Sequence, residues 1–500
     1  MAYLLGVDLG TSSVKAIIMR EDGKIMAIGQ QEYGIEMPKP GYSQQNPCIW
    51  WDAQVTAVRI ALKKAPEAQG EIRAIGLSGQ MHGLVVVDKA FLPVREAIIW
   101  CDQRSVAQVD RLLQHMALND VAKRLLNRPA VGFLISSLLW MKENEPDNYA
   151  RIHSVLLPKD YLRLRMTGRV STDPSDASAT LAYDIKEGKW YEALIGQLGL
   201  CHDIFPEILP SFSVAGTLIW EAAEAMGLPA GIPVAVGGGD QPVQALGNGI
   251  IHQGEASVTI GTGGQLFTPV DKPIYDPIMR THTFSHVLPE QWYVMGAMLN
   301  AGQSLDWFTR KIAGGASSAM WDEDSKDISP GRDNPIFLPY LTGDRTPHMD
   351  PFAKGMFFGL TLRHEKKHLA RAVMEGVAFS LKDCMEIVQS LGIPIKRILA
   401  SGGGSNSPLW MQIVADVLGC ELETSSCEEQ AGRGAAMLAG IAIGLYKSAQ
   451  DACDRVLGQV GSFIKPISQN QLCYKPLYQL YREIYEANAR LFKEMSQINQ

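Results

Sequence analysis

The chain has 500 residues, too many for one hydrophobic core, so two or three domains are expected. Its composition, with 46% hydrophobic and 20% charged residues, is that of an ordinary folded protein, and its net charge of −7 argues against a general binder of nucleic acid or anionic membranes. No apolar run approaches the roughly 20 residues that cross a bilayer, and the N-terminus has no basic segment before an apolar stretch.

The first thirty residues predict a hairpin. "YLLGVDLG" and "VKAIIM" read as two strands, and "EDGK" as the turn before a third apolar segment, "IMAIG". Between the first two strands lie Thr11, Ser12 and Ser13, whose N–H groups and hydroxyls suit an anion. Asp8 ends the first strand, where a carboxylate needs hydrogen bonds or a cation such as a phosphate-bound magnesium ion. The alternative is a tight hairpin in which Asp8 makes an Asx turn.

Two strand ends in the next segment carry polar and aromatic side chains. "IRAIGLSGQMHGLVVVD" predicts strand, glycine turn and strand, which places His82 where its ring can face a cleft. "EAIIWCDQR" ends a strand with Trp100, Asp102 and Arg104, and such a mixture is typical of a site for a polyhydroxylated ligand. The alternatives are a structural histidine and a surface salt bridge between Asp102 and Arg104. "VLLPKDYLRLRMTG" predicts an amphipathic helix after Pro158.

Residues 233–249, "PVAVGGGDQPVQALGNG", place three glycines and Asp240 between an apolar strand and a helix that Pro242 opens. One interpretation is that Asp240 caps this helix, because its oxygen can accept from N–H groups of the first turn. The other is that the glycines clear space for a ligand with which the carboxylate reacts. These residues alone leave both interpretations open.

The string "SVTIGTGGQLF", residues 257–267, repeats the strand and glycine–threonine turn of the N-terminus, with Thr262 lying 251 positions after Thr11. The repeat predicts one architecture used twice, unless four shared residues are a coincidence. Two such turns could hold a polyphosphate between them. The segment "IHQG", residues 251–254, is a plausible boundary between the two units.

Near the end, "RILASGGGSNSPLWMQIVADVLG" predicts a strand, a glycine loop and a helix that starts after Ser407 and stops at Gly419. Glycines in such a loop let the backbone approach a flat or charged ligand. No GxxxxGK[ST] string exists, which excludes a P-loop enzyme. An apolar stripe from Pro476 onward predicts a terminal helix over 476–498. The eight cysteines show neither CxxC nor zinc-like spacing and indicate reduced thiols in a cytoplasm.

These strings, taken together and in order, resemble the FGGY carbohydrate kinases over essentially the whole chain. "PKDYLRLRMTG" and "QMHG" point to the branch that phosphorylates xylulose. The resemblance implies an α/β fold of two actin-like, ribonuclease-H-like ATPase domains with the active-site cleft between them. Residues 1–250 would bind the sugar and carry the first phosphate turn, and residues 251–500 would bind the nucleotide. The strings are "GVDLGTSSVK", "SGQMHG", "IIWCDQR", "LLPKDYLRLRMTG", "STDPSDASAT", "GGGDQPVQALGNG", "SVTIGTGGQLF", "FLPYLTGDRTPH", "GMFFGLTLRHEKKHLARAVMEG" and "SGGGSNSPLWMQIVAD".

The resemblance further implies ATP-dependent phosphorylation of a ketopentose, D-xylulose to D-xylulose 5-phosphate, with Asp240 as the catalytic base. The implied partners are the sugar, ATP and Mg²⁺ near Asp8, with a possible homodimer and no nucleic acid or membrane. The implied sugar pocket consists of Met81, His82, Trp100, Asp102, Arg104 and Gln241. The implied nucleotide and phosphate sites consist of Asp8, Gly10, Thr11, Ser12, Gly261, Thr262, Gly402, Gly403 and Asn406.

Three positions depart from the family pattern. Relatives that phosphorylate xylulose usually have Asn where this chain has Gln241, many have Asn in place of Cys101, and the first family signature normally has Lys in place of Ser137. The first two keep another substrate open: ribulose, a deoxyketose, glycerol or a sugar acid. A non-metabolic actin-like ATPase is a further alternative, although such a switch would need neither "QMHG" nor "WCDQR".

Overall fold

A computed structural model of the chain describes residues 1–119, 121–315, 317–331, 333–425, 429–458 and 461–498. Seven cysteines lie in these ranges, and all seven are free thiols. Cys427, the eighth, lies outside the described residues. None of the helices in the described ranges is both long and apolar enough to span a membrane.

The first sheet, the N-terminal sheet, begins with the antiparallel meander that the hairpin signals predicted. The next strand, Ile72–Gly79, lies parallel to the first strand, Tyr3–Leu9. Beyond it, Pro233–Ala235 pairs with Ile72–Gly79 in parallel, and Val214–Thr217 forms the edge. In spatial order its strands are Val214–Thr217, Pro233–Ala235, Ile72–Gly79, Tyr3–Leu9, Ser13–Arg20 and Ile25–Glu32, with Gly238–Gly239 also beside Ile72–Gly79.

The second sheet, the C-terminal sheet, repeats this plan. Three antiparallel neighbours come first, namely Glu255–Ile260, Gly264–Val270 and Trp292–Met298, with His282–Ser285 added outside the third. A later parallel strand then lies beside the first of these three. Its strands, in spatial order, are His282–Ser285, Trp292–Met298, Gly264–Val270, Glu255–Ile260, Arg397–Ser401, Leu422–Thr424 and Phe463–Ile464. The glycine–threonine turns thus join equivalent strands of two similar sheets, so their likeness is not a coincidence.

Helices pack on both sheets, and separate two-stranded ribbons lie in the segments between the sheet strands. The ribbons are Gln44–Gln45 with Ala97–Ile98, Val85–Val87 with Ser154–Leu156, Tyr183–Asp184 with Lys189–Trp190, and Ile336–Leu338 with Met356–Phe358. The α-helices are Pro47–Lys64, Val106–Asn119, Ala122–Leu125, Leu134–Asn144, Pro146–Ala150, Pro158–Thr167, Pro174–Ser178, Glu192–Gln197, Trp220–Met226, Asp240–Gly247, Gly302–Trp307, Met320–Asp324, Lys366–Ser390, Pro408–Leu418, Gln430–Ala442, Ala449–Val456 and Ser468–Ile498. Shorter helical turns are Pro66–Ala68, His202–Ile204, Phe308–Ala313 and Gly403–Asn406.

The helix Gln430–Ala442 comes from the second half of the chain but packs on the N-terminal sheet and on the helix Asp240–Gly247. Glycines make this close approach possible: a Cβ on Gly76 would lie 1.8 Å from the Ala435 carbonyl oxygen, and one on Gly247 2.0 Å from that of Gln430. Because no larger residue fits at these contacts, close packing against the helix Gln430–Ala442 fixes the position of the helix that begins at Asp240.

Local signals predicted both ends of the helix Pro408–Leu418 correctly. Ser407 caps the helix Pro408–Leu418 by accepting from the N–H of Trp410, and Gly419 ends it with φ +75°. The terminal helix is longer than predicted, since it begins at Ser468 and contains Pro476.

The helix Pro158–Thr167 is not amphipathic, and that expectation was wrong. All its residues except Arg165 are buried. Its charged residues are neutralised internally, because Lys159 forms ion pairs with Asp160, Asp173 and Asp176 at 2.6, 2.9 and 3.0 Å. The charged residues of this helix other than Arg165 are therefore not exposed to solvent. They are buried and form ion pairs, two of which are with aspartates outside the helix.

Candidate active site

Asp240 is the first residue of the helix Asp240–Gly247, directly after the short strand Gly238–Gly239. The N-cap is Gly239, and no side chain caps the helix, so the interpretation of Asp240 as the N-cap was wrong. In the sheet, Gly238 and Asp8 both pair with Ser78, from opposite sides. Asp240 and Asp8 thus emerge at the same edge of the sheet, where the carboxyl ends of parallel strands commonly bind ligands.

The three glycines before Asp240 are required by the protein itself. A Cβ on Gly238 would lie 2.3 Å from a methyl carbon of Val287, and one on Gly239 would lie 2.7 Å from Met81 Cγ. Gly237 has φ +77° and leaves no room beside the Leu77 carbonyl. The expectation that these glycines clear space for a ligand was therefore wrong; they allow the strand end to pack tightly behind the carboxylate.

The carboxyl group of Asp240 has a pKa raised to about 7. Loss of water around the group is the main cause, and the negative charge of Asp8 is the second. The N–H of Gln241 and the other donors at the helix start oppose the shift. Asp240 remains partly exposed. A carboxylate with these properties can accept a proton near neutral pH, which an ordinary aspartate does poorly.

Asp8 lies near the end of the strand Tyr3–Leu9, partly exposed, and its Oδ1 accepts a hydrogen bond of 2.8 Å from Ser78 Oγ. It makes no Asx turn among the described residues. Burial raises its pKa, while the Ser78 hydrogen bond and the charge of Lys15 lower it. Lys15 itself pairs with Glu429, at 3.0 Å, across the two halves of the chain. Asp8 therefore keeps one carboxylate oxygen for a cation.

The first glycine–threonine turn is held by side chains from elsewhere. The Gly10 carbonyl accepts from the Tyr33 hydroxyl and from Gln80 Nε2. The Thr11 carbonyl accepts from Gln45 Nε2 at 2.8 Å. With these carbonyls bonded on the protein side, the turn is well ordered for an anion, and Ser12 at its tip is exposed.

Trp100 connects this turn to the predicted sugar pocket. Its indole N–H donates to Thr11 Oγ1 at 2.9 Å, and its side chain is partly exposed, with 38% of the residue surface accessible. One face of the indole is thus available for stacking while its nitrogen is fixed.

His82 and Met81 line the neighbouring wall. The Nδ1 atom of His82 lies 2.9 Å from the Ala179 carbonyl oxygen, and the ring packs on Phe133 at an interplanar angle of 35°, with centroids 4.1 Å apart. Burial lowers the pKa of His82 to about 4, so the ring is neutral at pH 7. If Nδ1 donates to that carbonyl, Nε2 is an acceptor for a ligand hydroxyl. The Met81 sulfur accepts from the Tyr293 hydroxyl at 3.7 Å.

Asp102 and Arg104 form an ion pair, but a buried one, so the surface salt bridge considered above is not what they make. Both side chains are at most 1% exposed, and the closest atoms are 2.9 Å apart. The Asp102 carboxylate also accepts from the N–H groups of Ser43 and Arg104. Arg104 stacks on Tyr42, with its guanidinium carbon 4.1 Å from the ring centroid. This pair supports the strand end that carries Trp100.

Gln241 joins the two halves of the chain, because its Oε1 accepts from Nε2 of Gln265 on the C-terminal sheet. Tyr293 and Phe284 of the same sheet pack in one cluster with Met81. Sequence reasoning placed the sugar pocket in the first half alone and missed these three residues. No local signal marks them, since only the docking of the two halves brings them to the pocket.

A separate cavity of about 710 Å³, a size that suits a nucleotide, lies at the second glycine–threonine turn. Among the predicted nucleotide residues, Gly261, Thr262, Gly403 and Asn406 line it. Gly402 does not; its φ of +84° and its contact with the Ile260 backbone make it a structural glycine. Further lining residues from the predicted glycine loop and the helix after it are Gly404, Ser407 and Trp410, and lining residues that the sequence did not reveal include Gly302, Gln303, Asp306, Ser318 and Asp322.

Within the described ranges, no group of three or more His, Cys, Asp or Glu side chains is arranged to hold a metal ion. A magnesium ion that reaches this site with a polyphosphate does not need such a cage, because Mg²⁺ keeps several waters and one or two carboxylates suffice. Asp8, with one oxygen free of hydrogen bonds in the described structure, fits that role.

Comparison with known proteins gives matches over most of the chain. Residues 3–247 match the N-terminal domain of the FGGY family of carbohydrate kinases, and residues 256–443 match the C-terminal domain. The xylulose kinase of Bacillus subtilis (strain 168) is 35% identical over 97% of this chain and 97% of its own, and that of Escherichia coli (strain K12) is 35% identical over 96% and 98%. The crystal structure of a "xyloylose kinase" from Brucella ovis superposes with a TM-score of 0.91, at 34% identity, over 98% of this chain and 100% of that one.

Proposed function

Since the chain belongs to the FGGY family of carbohydrate kinases, we propose that it transfers the γ-phosphoryl group of ATP to the C5 hydroxyl of D-xylulose. The products are D-xylulose 5-phosphate and ADP. The curated relatives at 35% identity are xylulose kinases, which supports this choice of sugar. The observation that carries the mechanism is Asp240, a carboxylate with a raised pKa at the edge of the N-terminal sheet.

Asp240 acts as the general base. A sugar hydroxyl is a weak nucleophile at neutral pH, and its proton must have an acceptor as the new O–P bond forms and the bond from the γ-phosphorus to the leaving ADP oxygen breaks. Asp240 takes that proton and orients the hydroxyl. Its raised pKa brings it close to the working pH, where a base is most effective.

The two glycine–threonine turns hold the phosphates from opposite sides. Thr11 and Ser12 contribute the first set of donors, and Gly261 and Thr262 the second. The adenosine occupies the cavity lined by Gly403 and Asn406. Asp8 would hold Mg²⁺, which neutralises phosphate charge when it is bound with ATP. The sugar lies between Met81, His82 and the exposed face of Trp100, and Asp102 and Arg104 support that wall.

We further propose that residues 1–250 and 251–500 are the two domains, and that their closure excludes water from the phosphoryl group. The free thiols agree with a cytoplasmic enzyme. A homodimer is a family-level expectation that light scattering can test.

The test is steady-state kinetics of ADP release with a panel of sugars, on the wild type and on Asp240→Ala and Asp240→Asn. We expect kcat/KM for D-xylulose to exceed that for other ketopentoses, glycerol and sugar acids. Either substitution should lower kcat at least a hundredfold, since a placed base contributes about 10²–10⁴-fold, while ATP still binds.

A kcat that survives both substitutions would remove Asp240 from the mechanism. A preference for another polyol would correct the substrate and keep the base. ATP hydrolysis without any sugar, together with polymerisation, would instead indicate an actin-like switch.

A further inference from the structure

The loop that carries Arg345 extends the C-terminal sheet along the strand Trp292–Met298, which also carries Tyr293. The strand Trp292–Met298 has the strand His282–Ser285 as its outer neighbour only as far as Met295, which pairs with His282. Beyond that point Thr346 takes over: its N–H donates to the Ala297 carbonyl at 2.9 Å, and its Oγ1 accepts from the Ala297 N–H at 3.1 Å. Arg345, the residue before Thr346, therefore lies close to His282, the first residue of the outer strand.

The same register connects this loop to the residue after the proposed base. Ala297 pairs on its other side with Gln265, and Gln265 donates to Gln241. One strand thus separates the backbone of the Arg345 loop from the side chain that contacts Gln241.

The guanidinium of Arg345 has no hydrogen bond and no ion pair with any described residue, although the residue is only partly exposed. Other well-buried arginines of this chain are paired: Arg104 with Asp102, Arg163 with Asp160 and Arg371 with Glu375. Leaving a half-buried cation without acceptors costs free energy that pairing would recover. Such a group is suited to acceptors that a ligand brings.

His282, the strand residue next to which the Arg345 loop continues the sheet, belongs to one ring cluster with His82, because the Phe284 ring centroid lies 5.7 Å from that of each histidine. Burial is the main cause of the lowered pKa of both histidines, and the positive charge of Arg345 contributes to it. The raised pKa of Asp240 is caused first by burial and then by the charge of Asp8, which lies at the same edge of the N-terminal sheet. Arg345 is thus associated with the two histidines, and Asp240 with Asp8.

We infer that Arg345 binds the end of the sugar remote from the phosphorylated hydroxyl, donating to the C1 hydroxyl and C2 carbonyl oxygens of the ketose. This inference rests on the proposed function, in which the C5 hydroxyl lies at Asp240. Gly239, next to Asp240, packs against Met81, next to His82, so a five-carbon chain that starts at Asp240 extends along the wall formed by Met81 and His82. The planar guanidinium offers several donors in a fixed fork, which matches two oxygens on neighbouring carbons. Arg345 is on this basis a specificity-determining residue for α-hydroxyketones.

The test compares two sugars on Arg345→Gln and Arg345→Lys: D-xylulose and 1-deoxy-D-xylulose, which lacks the C1 hydroxyl. The matched control is Arg490→Gln, an exposed arginine on the terminal helix. In Arg345→Gln we expect KM for D-xylulose to rise about 10- to 100-fold, the range for a hydrogen bond to a charged group, with KM for ATP unchanged. The wild-type preference for D-xylulose over its 1-deoxy analogue should fall towards one.

Arg345→Lys should recover part of the loss, because it retains a charge but not the fork. The inference would be overturned if the folded Arg345→Gln variant had the wild-type KM for D-xylulose and the wild-type preference for D-xylulose over its 1-deoxy analogue. That failure differs from failure of the proposed function, in which the wild type itself would not phosphorylate D-xylulose. Thermal unfolding checks that each variant is folded, and no loss is expected because the guanidinium has no protein partner to lose.

Discussion

Asp8 and Thr259 occupy the same position in the two sheets, and the difference between them separates the roles of the two halves. Each lies two residues before a glycine–threonine turn, and each pairs with a serine on the neighbouring parallel strand, Asp8 with Ser78 and Thr259 with Ser401. In the first half the contact is a hydroxyl donating to a carboxylate at 2.8 Å. In the second half it is a contact between two hydroxyls at 2.9 Å.

The surroundings of the turns differ in the same way. Side chains from distant segments hold the first turn, and one of them, Trp100, also borders the sugar pocket. Within the described part of the chain, the second turn is held by backbone hydrogen bonds alone. Examples are those from the N–H groups of Gly302 and Ala301 to the carbonyls of Gly261 and Thr262, respectively. Under the proposed mechanism, one topology thus supplies amides for phosphate twice, and the first copy adds the carboxylate of Asp8 and, through Trp100, a link to the proposed sugar pocket.

The substitution Asp8→Thr gives the first half the residue found at the equivalent position of the second half, and it is the strongest test of the difference between the two. We expect kcat to fall by about a hundredfold or more, because the proposed magnesium ligand is lost and charge on the transferring phosphoryl group is less well neutralised. The measurement is kcat at several magnesium concentrations, and the variant should need more magnesium for its residual rate.

Thr259→Val is the matched control, since it removes the equivalent hydroxyl from the second half without altering charge. We expect KM for ATP to change by a few-fold at most and kcat to stay near the wild-type value. If both substitutions lower kcat equally, the two positions are functionally equivalent and the asymmetry argued above is wrong.

The pH dependence sharpens the same contrast. Asp240 must be ionised to accept a proton, and its pKa is raised to about 7. The ionised fraction falls tenfold per pH unit well below that value, so kcat/KM for the sugar should be lower at pH 6 than at pH 8 by about tenfold. The charge of Asp8 raises the pKa of Asp240. The midpoint in Asp8→Thr should therefore move to lower pH. A flat profile between pH 6 and 8 would contradict the assignment of the base.

Local sequence patterns predicted what local geometry decides. The two turns, the meander and the start of the helix after Ser407 follow from strand alternation, small residues and capping, all within a few positions of each other. The parts of the candidate site that contain Asp8 and His82 could be placed in this way, because the strand ends that carry them are marked by such patterns.

The rest depends on long-range packing and could not be read from neighbours. The space around the glycines before Asp240 is filled by Met81 and Val287, far away in the chain. The Asp102–Arg104 pair is buried because other segments fold over it. Tyr293 reaches Met81 only when the C-terminal sheet docks on the first half. Sequence alone predicts which groups exist, while tertiary contacts decide which of them face a ligand.

The smallest expected effect concerns the hydrogen bond between Trp100 and Thr11. Trp100→Phe keeps an aromatic ring for the sugar but removes the N–H that donates to Thr11 Oγ1 at 2.9 Å. One such bond is worth about 0.5–1.5 kcal/mol, so KM should rise by about 2- to 10-fold. If this bond connects the sugar pocket with the first turn, KM for the sugar and KM for ATP should rise together.

Trp220→Phe is the control, since that tryptophan is 64% exposed and lies on a surface helix; it should leave both constants unchanged. Thr11→Val removes the acceptor of the same bond, which allows a double-mutant cycle with Trp100→Phe. The effects of the two substitutions should not add, because either one alone breaks the bond. Strict additivity would show that the two residues act separately, and the first turn would then resemble the second in being independent of the sugar.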